Sequence, residues 1–263
     1  VSQPPHIPPQ CAYCPNRRID ICGAVSDDDT ALLEETKLSD RVYRAHSTII
    51  QQGDENRQYY QIIDGWVALF HHDSFGVRKV LEILVGGDSF GHLTSDNPSS
   101  AFTAECLTDA SVCSIPHQRL RNLVQDRPEI GLRVSELADG QRDRWHRHLI
   151  KATGGSALNR LSEFLSNLVE RVQSRRSAGS DKPIVLPLRQ TDIADALSLT
   201  QVYVNSLLKS LNNQNIINVG RAKLTILDVD ALRRTAMQIP ERNGKAKELT
   251  ASVKTAKCLD MRQ

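Results

Sequence analysis

Leu186 to Asn213, LPLRQTDIADALSLTQVYVNSLLKSLNN, constrains the chain more than any other stretch, because it holds two short helical periods with an enforced turn between them. Ile193, Ala194 and Leu197 recur at helical spacing within Asp192 to Leu197. Ser198-Leu199-Thr200 breaks that run, and Thr200 offers a hydroxyl to cap a second helix. Val204, Leu207, Leu208 and Leu211 make an apolar stripe along that helix. Gln201, Tyr203, Asn205, Ser206 and Lys209 stand off the stripe, and hydrogen-bonding side chains near a helix N-terminus suit the major groove of DNA. IINVGRAKLTIL comes next as two strands around Gly220-Arg221. Two helices and a basic hairpin read as a winged helix-turn-helix, with Gln190, Thr200 and Arg221 joining the DNA-facing set. Two helices packed in any small α domain would show the same periodicity, so other features have to decide.

Charge is one of them. The net charge is only +2, but residues 1–155 hold 16 Lys+Arg against 21 Asp+Glu, while residues 156–263 hold 17 against 10. A basic C-terminal part on a nearly neutral chain fits nucleic-acid binding confined to that part. At 263 residues there is room for two domains. No run of about 18 apolar residues predicts a membrane span, and VSQPPHIPPQ lacks the apolar centre of a signal peptide. A cytoplasmic protein with reduced thiols is the expectation.

Three of the six cysteines crowd into CAYCPNRRIDIC: Cys11, Cys14 and Cys22. A C-x2-C pair lets two thiolates reach one centre, and thiolate-rich sites select zinc or iron–sulfur clusters. Three ligands are one short of a closed set, which leaves Cys113 and Cys106 as candidates for the fourth. Cys258 stands alone in a segment of little periodicity.

Short strands with Gly and Asp turns run from Arg41 to Pro116, the spacing of an antiparallel β-barrel or roll. Residues 117–152 read as helical. Ile130, Val134, Leu137, Trp145 and Leu149 share a stripe that Gln141 interrupts beside Gly140, which predicts a dimerisation helix; packing on its own domain would give the same stripe. Thr153-Gly154-Gly155 is a natural hinge. Leu158, Leu161, Leu165, Leu168 and Val172 form the next apolar seam. The expected organisation is α+β: a cysteine-rich sensory arm (1–26), a β-roll (27–126), a dimerisation helix and hinge (127–154), a winged helix-turn-helix (155–235) and a disordered tail (236–263).

A cysteine arm, a β-roll, a long helix and a C-terminal winged helix-turn-helix together resemble the Crp–Fnr family of bacterial transcription regulators. The roll carries the signature at Gly53-Asp54, Gly65 and Gly87-Asp88-Ser89-Phe90-Gly91. The C-x2-C-x7-C arm resembles that of the oxygen-responsive fumarate–nitrate reduction branch. That resemblance implies a [4Fe–4S] cluster held by Cys11, Cys14, Cys22 and Cys113, with Cys106 outside the ligand set. It also implies a homodimer on double-stranded promoter DNA, with RNA polymerase as a further partner and no membrane association. A structural zinc or a thiol-redox sensor is the alternative use of the cysteines.

Cyclic-nucleotide binding is not expected. The family positions for the ribose-binding Glu and the phosphate-binding Arg fall on His92 and near Ser99-Ser100, and no Arg lies between Val80 and His117. The recognition helix departs from the family too, with Val202 and Ser206 where a Glu and an Arg are usual, so the family half-site does not transfer. No nucleophile–base set, phosphate loop or HExxH site suggests an enzyme.

Overall fold

Side-chain parity explains how one sheet serves two cores. The computed structural model describes residues 10–91, 99–152, 155–176 and 183–237. Short 3-10 turns at Cys11–Tyr13, Asp20–Ala24 and Asp27–Asp29 lead into α1 (Thr30–Thr36). The roll comprises β1 (Ser39–Tyr43), β2 (Thr48–Ile50), β3 (Gln58–Asp64), β4 (Trp66–His72), β5 (Arg78–Val85), β6 (Ser89–Gly91), β7 (Thr103–Cys106) and β8 (Ala110–Pro116). These strands form two antiparallel sheets, ordered β1-β8-β3-β6 and β2-β7-β4-β5.

Antiparallel strands commonly alternate buried and exposed residues, yet β3 is buried from Tyr59 to Ile63. Both of its faces are covered. Tyr60 and Ile62 point into the roll with Val67, Leu69 and Leu84. Tyr59 faces the other way, against Ile21, Val25, Leu33 and Ile115 of the arm, α1 and β8. Period-two alternation puts Gln61 and Ile63 on that outer side as well. At the β3–β4 turn Gly65 has φ +98°, and a Cβ there would lie 2.5 Å from the Asp109 carbonyl oxygen, so only glycine fits.

Helix α2 (His117–Asp126) ends before Pro128, which opens α3 (Pro128–Ala152). The stripe read as a dimer seam is, over its first half, the face α3 turns to its own chain. Ile130 is only 1% exposed, packed with Leu120, Leu123 and Ile21, so it is not available to a second copy. Val134 and Leu137 are half-buried against the same cluster, and Gln141 Nε2 donates to Glu82 Oε2 at 3.3 Å. Trp145 remains 50% exposed, and Leu132, which the stripe missed, is 71% exposed. The side chain of Leu149, the Thr153-Gly154 part of the hinge and the tail beyond Met237 lie outside the described residues.

The C-terminal part comprises α4 (Ala157–Gln173), β9 (Ile184–Leu186), α5 (Gln190–Leu197), α6 (Gln201–Asn213), β10 (Ile217–Gly220), β11 (Lys223–Ile226) and α7 (Val229–Met237). Leu161, Leu165 and Leu168 of α4 are fully buried, as the seam predicts; Leu158 and Val172 flank them. Ser198 turns the chain between α5 and α6 with φ +53°. Thr200 then caps α6, its hydroxyl accepting from the Tyr203 N–H at 3.2 Å. Thr200→Ala should cost about 1 kcal/mol of stability, read from the shift in denaturant midpoint. A shift near zero would show that water replaces the cap. This core does not stop at the domain border: Ala68, Phe70, Val80, Ile83 and Leu107 of the roll share one cluster with α4, α5 and α6.

Candidate functional site

Two sites stand out, one around the cysteines and one on the helix-turn-helix. The arm that carries three of the cysteines is held by its own polar side chains rather than hanging free, contrary to the flexible arm its Pro-flanked, polar sequence suggests. Arg17 donates to the carbonyls of Cys22 (2.5 Å), Val25 (2.6 Å) and Ser26 (2.5 Å). Asn16 Nδ2 donates to the Ile62 carbonyl at 2.8 Å, pinning the arm to β3. Asp20, 2% exposed and at φ +56°, accepts from the Tyr59 hydroxyl at 2.6 Å. Its backbone carbonyl accepts from Arg133 Nε at 3.2 Å, which ties the arm to α3. Burial raises the Asp20 carboxyl above its ordinary value against the hydrogen bonds that favour its charge.

Folding brings the four predicted ligands to one pocket. Cys11 opens the first 3-10 turn, Cys14 caps it, and Cys22 sits in the second. Cys113 lies on β8, opposite Asp40 of β1 on one side and Gln61 of β3 on the other. All four line a cavity with about 20 Å³ of free volume, walled also by Arg17, Leu33, Lys37, Asp40, Gln61 and Ile63. Lys37 Nζ pairs with Glu34 Oε2 (2.7 Å) and Asp40 Oδ2 (2.8 Å), so the one ammonium in that wall is shared with carboxylates. The Cys11 backbone N–H donates to Glu34 Oε1.

Burial pushes the Cys11 thiol up to about 12, partly opposed by Lys37, and the Cys22 thiol up to about 12, with Asp20 adding to it. Cys14 is raised by burial, and Cys113 is raised further by burial and then Asp40. Cys106 is fully buried inside the roll in the other cluster and does not line this pocket.

Among the described residues, no three His, Cys, Asp or Glu side chains converge on a single metal ion. The donor chemistry nonetheless fits a thiophilic centre: four thiols meet in a small cavity with apolar Leu33 and Ile63 beside them. A volume of about 20 Å³ holds roughly one water. A multi-atom centre would therefore enter by spreading the arm from β8.

On the DNA-facing side, Thr200, Gln201, Ser206, Lys209 and Arg221 are exposed and Tyr203 is 47% exposed. Asn205 and Gln190 are half-buried and face each other, Gln190 Nε2 to Asn205 Oδ1 at 3.5 Å, which links α5 to α6. Gln190, Gln201, Gly220 and Arg221 share a concavity of about 290 Å³ between α5 and the wing, together with Arg189 and Thr191, which the sequence reading did not single out. Val202 is 82% exposed on α6, an apolar side chain open to a partner. Arg221→Ala should weaken DNA binding evenly across sequences and reduce the salt slope by about 1, as loss of one phosphate contact does. Titrations at several salt concentrations check this, and an unchanged slope would remove Arg221 from the interface.

Sequence reasoning also missed what holds this unit in place. Arg78 of β5 donates to Asp195 Oδ2 at 2.6 Å and reaches Asp192 Oδ1 at 3.5 Å, while its guanidinium lies 4.4 Å from the Phe70 ring centroid. Arg171 and Arg175, at the end of α4 and just beyond it, converge on Asp88 in the β5–β6 turn; Arg175 Nη2 is 2.7 Å from Oδ1, and Arg171 Nη2 contacts Oδ2. Arg171 also donates to the Ile83 carbonyl at 2.8 Å and Arg175 to the Val85 carbonyl at 3.2 Å. At the expected cyclic-nucleotide positions, the Ser100 hydroxyl donates to the Phe102 carbonyl at 2.7 Å, and His92 lies outside the described residues.

Comparison with known proteins agrees with this architecture. Residues 40–127 match the cyclic nucleotide-binding domain family, and residues 159–235 match the Crp-like helix-turn-helix domain family. The nitrogen fixation regulation protein FixK of Bradyrhizobium diazoefficiens is 25% identical over 219 residues, 83% of this chain and 90% of that protein. The transcriptional activator protein FnrL of Cereibacter sphaeroides is 23% identical over 235 residues, 88% of this chain and 94% of that one. The solved structure of FixK2 from Bradyrhizobium japonicum shares the fold with a TM-score of 0.65 and 23% identity, over 76% of this chain and 98% of that chain. The relatives are named as regulators, not enzymes.

Proposed function

Because the chain belongs to the Crp–Fnr family of DNA-binding transcription regulators, we propose that its cysteine pocket holds an oxygen-labile [4Fe–4S] cluster that sets its affinity for promoter DNA. The observation that carries this reading is the convergence of Cys11, Cys14, Cys22 and Cys113 on one pocket although Cys113 is remote in sequence. The donor set supports it as well: among the described residues, four thiols and no imidazole line the pocket, the ligand chemistry of iron–sulfur clusters and of zinc alike.

When bound, such a cluster would supply a cross-link between thiolates that oxygen can remove. The chain's own residues connect that cross-link to the rest of the molecule. Cys113 fixes one end to β8, and Asp20, between the arm cysteines, holds Arg133 of α3 through its carbonyl. A shift of the arm therefore acts on α3 directly. Among the described side chains of α3, Leu132 and Trp145 are the large apolar ones exposed to a second copy, and we infer a homodimer that places two α6 helices in successive major grooves. RNA polymerase is the further partner this role implies, in keeping with an activator such as FnrL.

Purification under argon, with iron, acid-labile sulfide and zinc analysis and a visible spectrum, tests the proposal. About four iron and four sulfide per chain, bleaching in air, is the expected result. Zinc alone, or a colourless metal-free protein, would overturn it and leave a DNA-binding regulator with another signal.

A further inference from the structure

Among the described residues lining the cysteine pocket, Gln61 and Arg17 each keep a buried nitrogen without a hydrogen-bond partner, and of the two only Gln61 touches a cysteine side chain through its own. The residue is 2% exposed, on the outer face of β3. Its cross-strand neighbours in the register are Cys113 on β8 and Ser89 on β6, and its Oε1 accepts from the Cys22 thiol at 3.5 Å. Its Nε2 is buried with no hydrogen-bond partner. A buried amide with two idle donors is costly, and an apolar residue would fill this position between Ile62 and Tyr60 without that cost. A carboxamide buried beside two of the four cysteines therefore calls for an acceptor that belongs to the site.

We propose that Gln61 is a positioning residue for the bound centre, donating an N–H to the sulfur of Cys22, Cys113 or the cluster itself. The inference rests on the cluster reading above. The present contact has the thiol as donor and the amide oxygen as acceptor, and it ends when Cys22 becomes a thiolate ligand, because a thiolate has no proton to give. A half-turn of the amide about its terminal bond then replaces Oε1 by Nε2, and the same side chain becomes the donor. The thiol protons leave to solvent as the metal binds. Hydrogen bonds to cluster sulfurs set the reduction potential and shield the sulfurs from attack. Gln61 would thus help to decide how oxidant-sensitive the switch is.

The test uses the full chain, reconstituted under argon with ferrous iron and sulfide, as wild type, Gln61→Leu and the near-isosteric Gln61→Glu. Iron and sulfide per chain, far-ultraviolet circular dichroism, the reduction midpoint, the Fe–S stretching bands and the rate of iron loss to a chelator are measured. The expected result is that Gln61→Leu loads as wild type does but loses iron about ten-fold faster. Its midpoint should move to lower potential and its Fe–S bands should shift. Gln61→Glu should lose iron at least as fast, because it keeps the shape but sets a carboxylate against thiolates. Should Gln61→Leu fail to fold, the Gln61→Glu comparison and the shift of wild-type Fe–S bands in D2O carry the decision. Equal midpoints, bands and loss rates in folded, loaded variants would overturn the role of Gln61 while leaving the cluster in place. A wild type that takes up no iron would overturn both.

Discussion

Replacing Cys113 by serine is expected to abolish the metal centre and low-oxygen operator binding together. Cys113 is the one thiol of the four that sits on the rigid sheet, paired in register with Asp40 and Gln61 on both sides. The other three belong to the arm. Losing any ligand weakens the centre, but losing this one removes the only ligand on the roll, leaving the arm joined to β3 by the contacts of Asn16, Asp20 and Cys22 described above. Operator affinity should then fall towards the non-specific level, about 10³-fold or more. Metal analysis and binding titrations on the same preparation check it. A Cys113→Ser protein that loses its iron but keeps operator binding would separate the cysteine pocket from DNA control. The matching Cys106→Ser variant should keep its metal, since Cys106 lies inside the roll and does not line the pocket.

The second large effect is expected at Asp88. Its side chain is only 9% exposed, between Arg171 and Arg175. Burial alone would raise this carboxyl; the two guanidinium charges, the Arg175 hydrogen bond and the Val85 N–H outweigh it and hold it below the usual carboxylate range. A carboxyl depressed in the folded state contributes stability above its unfolded value, about 3.9, and that contribution is lost as pH falls through the lower folded value. Acid unfolding should therefore begin below about pH 4 at this joint. Asp88→Asn leaves Arg175 without its counter-charge and Arg171 with Glu82 alone, 4.0 Å away, and removing one partner of a buried pair costs about 3–5 kcal/mol. Denaturant unfolding at neutral pH measures the loss. In the variant, the part of the acid transition due to Asp88 should also vanish. A cost below about 1 kcal/mol would mean that the pair behaves as a solvent-screened surface bridge.

The helix-turn-helix was legible because its signals are local. The stripe Val204, Leu207, Leu208 and Leu211, the cap at Thr200 and the turn at Ser198 all lie within one short stretch, and the structure places them as read. The roll was legible from its turns, and the convergence of Cys113 with the arm cysteines followed a family spacing. Elsewhere, local reading failed where partners are distant. Nothing near Arg78 announces Asp195, which is 117 residues away. Periodicity shows that α3 has an apolar face, but not what covers it, so Ile130 was assigned to a second copy when its own arm buries it. Gln61 escaped notice because β3 shows no alternation from Tyr59 to Ile63, and a polar residue in such a run carries no sign of which face it serves.

Phe70, Val80 and Ile83 of the roll and Leu161, Leu165 and Leu168 of α4 belong to one cluster. A cut after the hinge is therefore a poor place to divide the molecule for engineering. A DNA-reading fragment beginning near Gly155 would present the bare apolar flank that the roll now covers, and it would aggregate where such surfaces meet. Grafting the reader of one regulator onto the sensor of another carries the same demand. The donor must match Arg78 with its acidic partners on α5, and Asp88 with the arginines at the end of α4, before its choice of operator can matter.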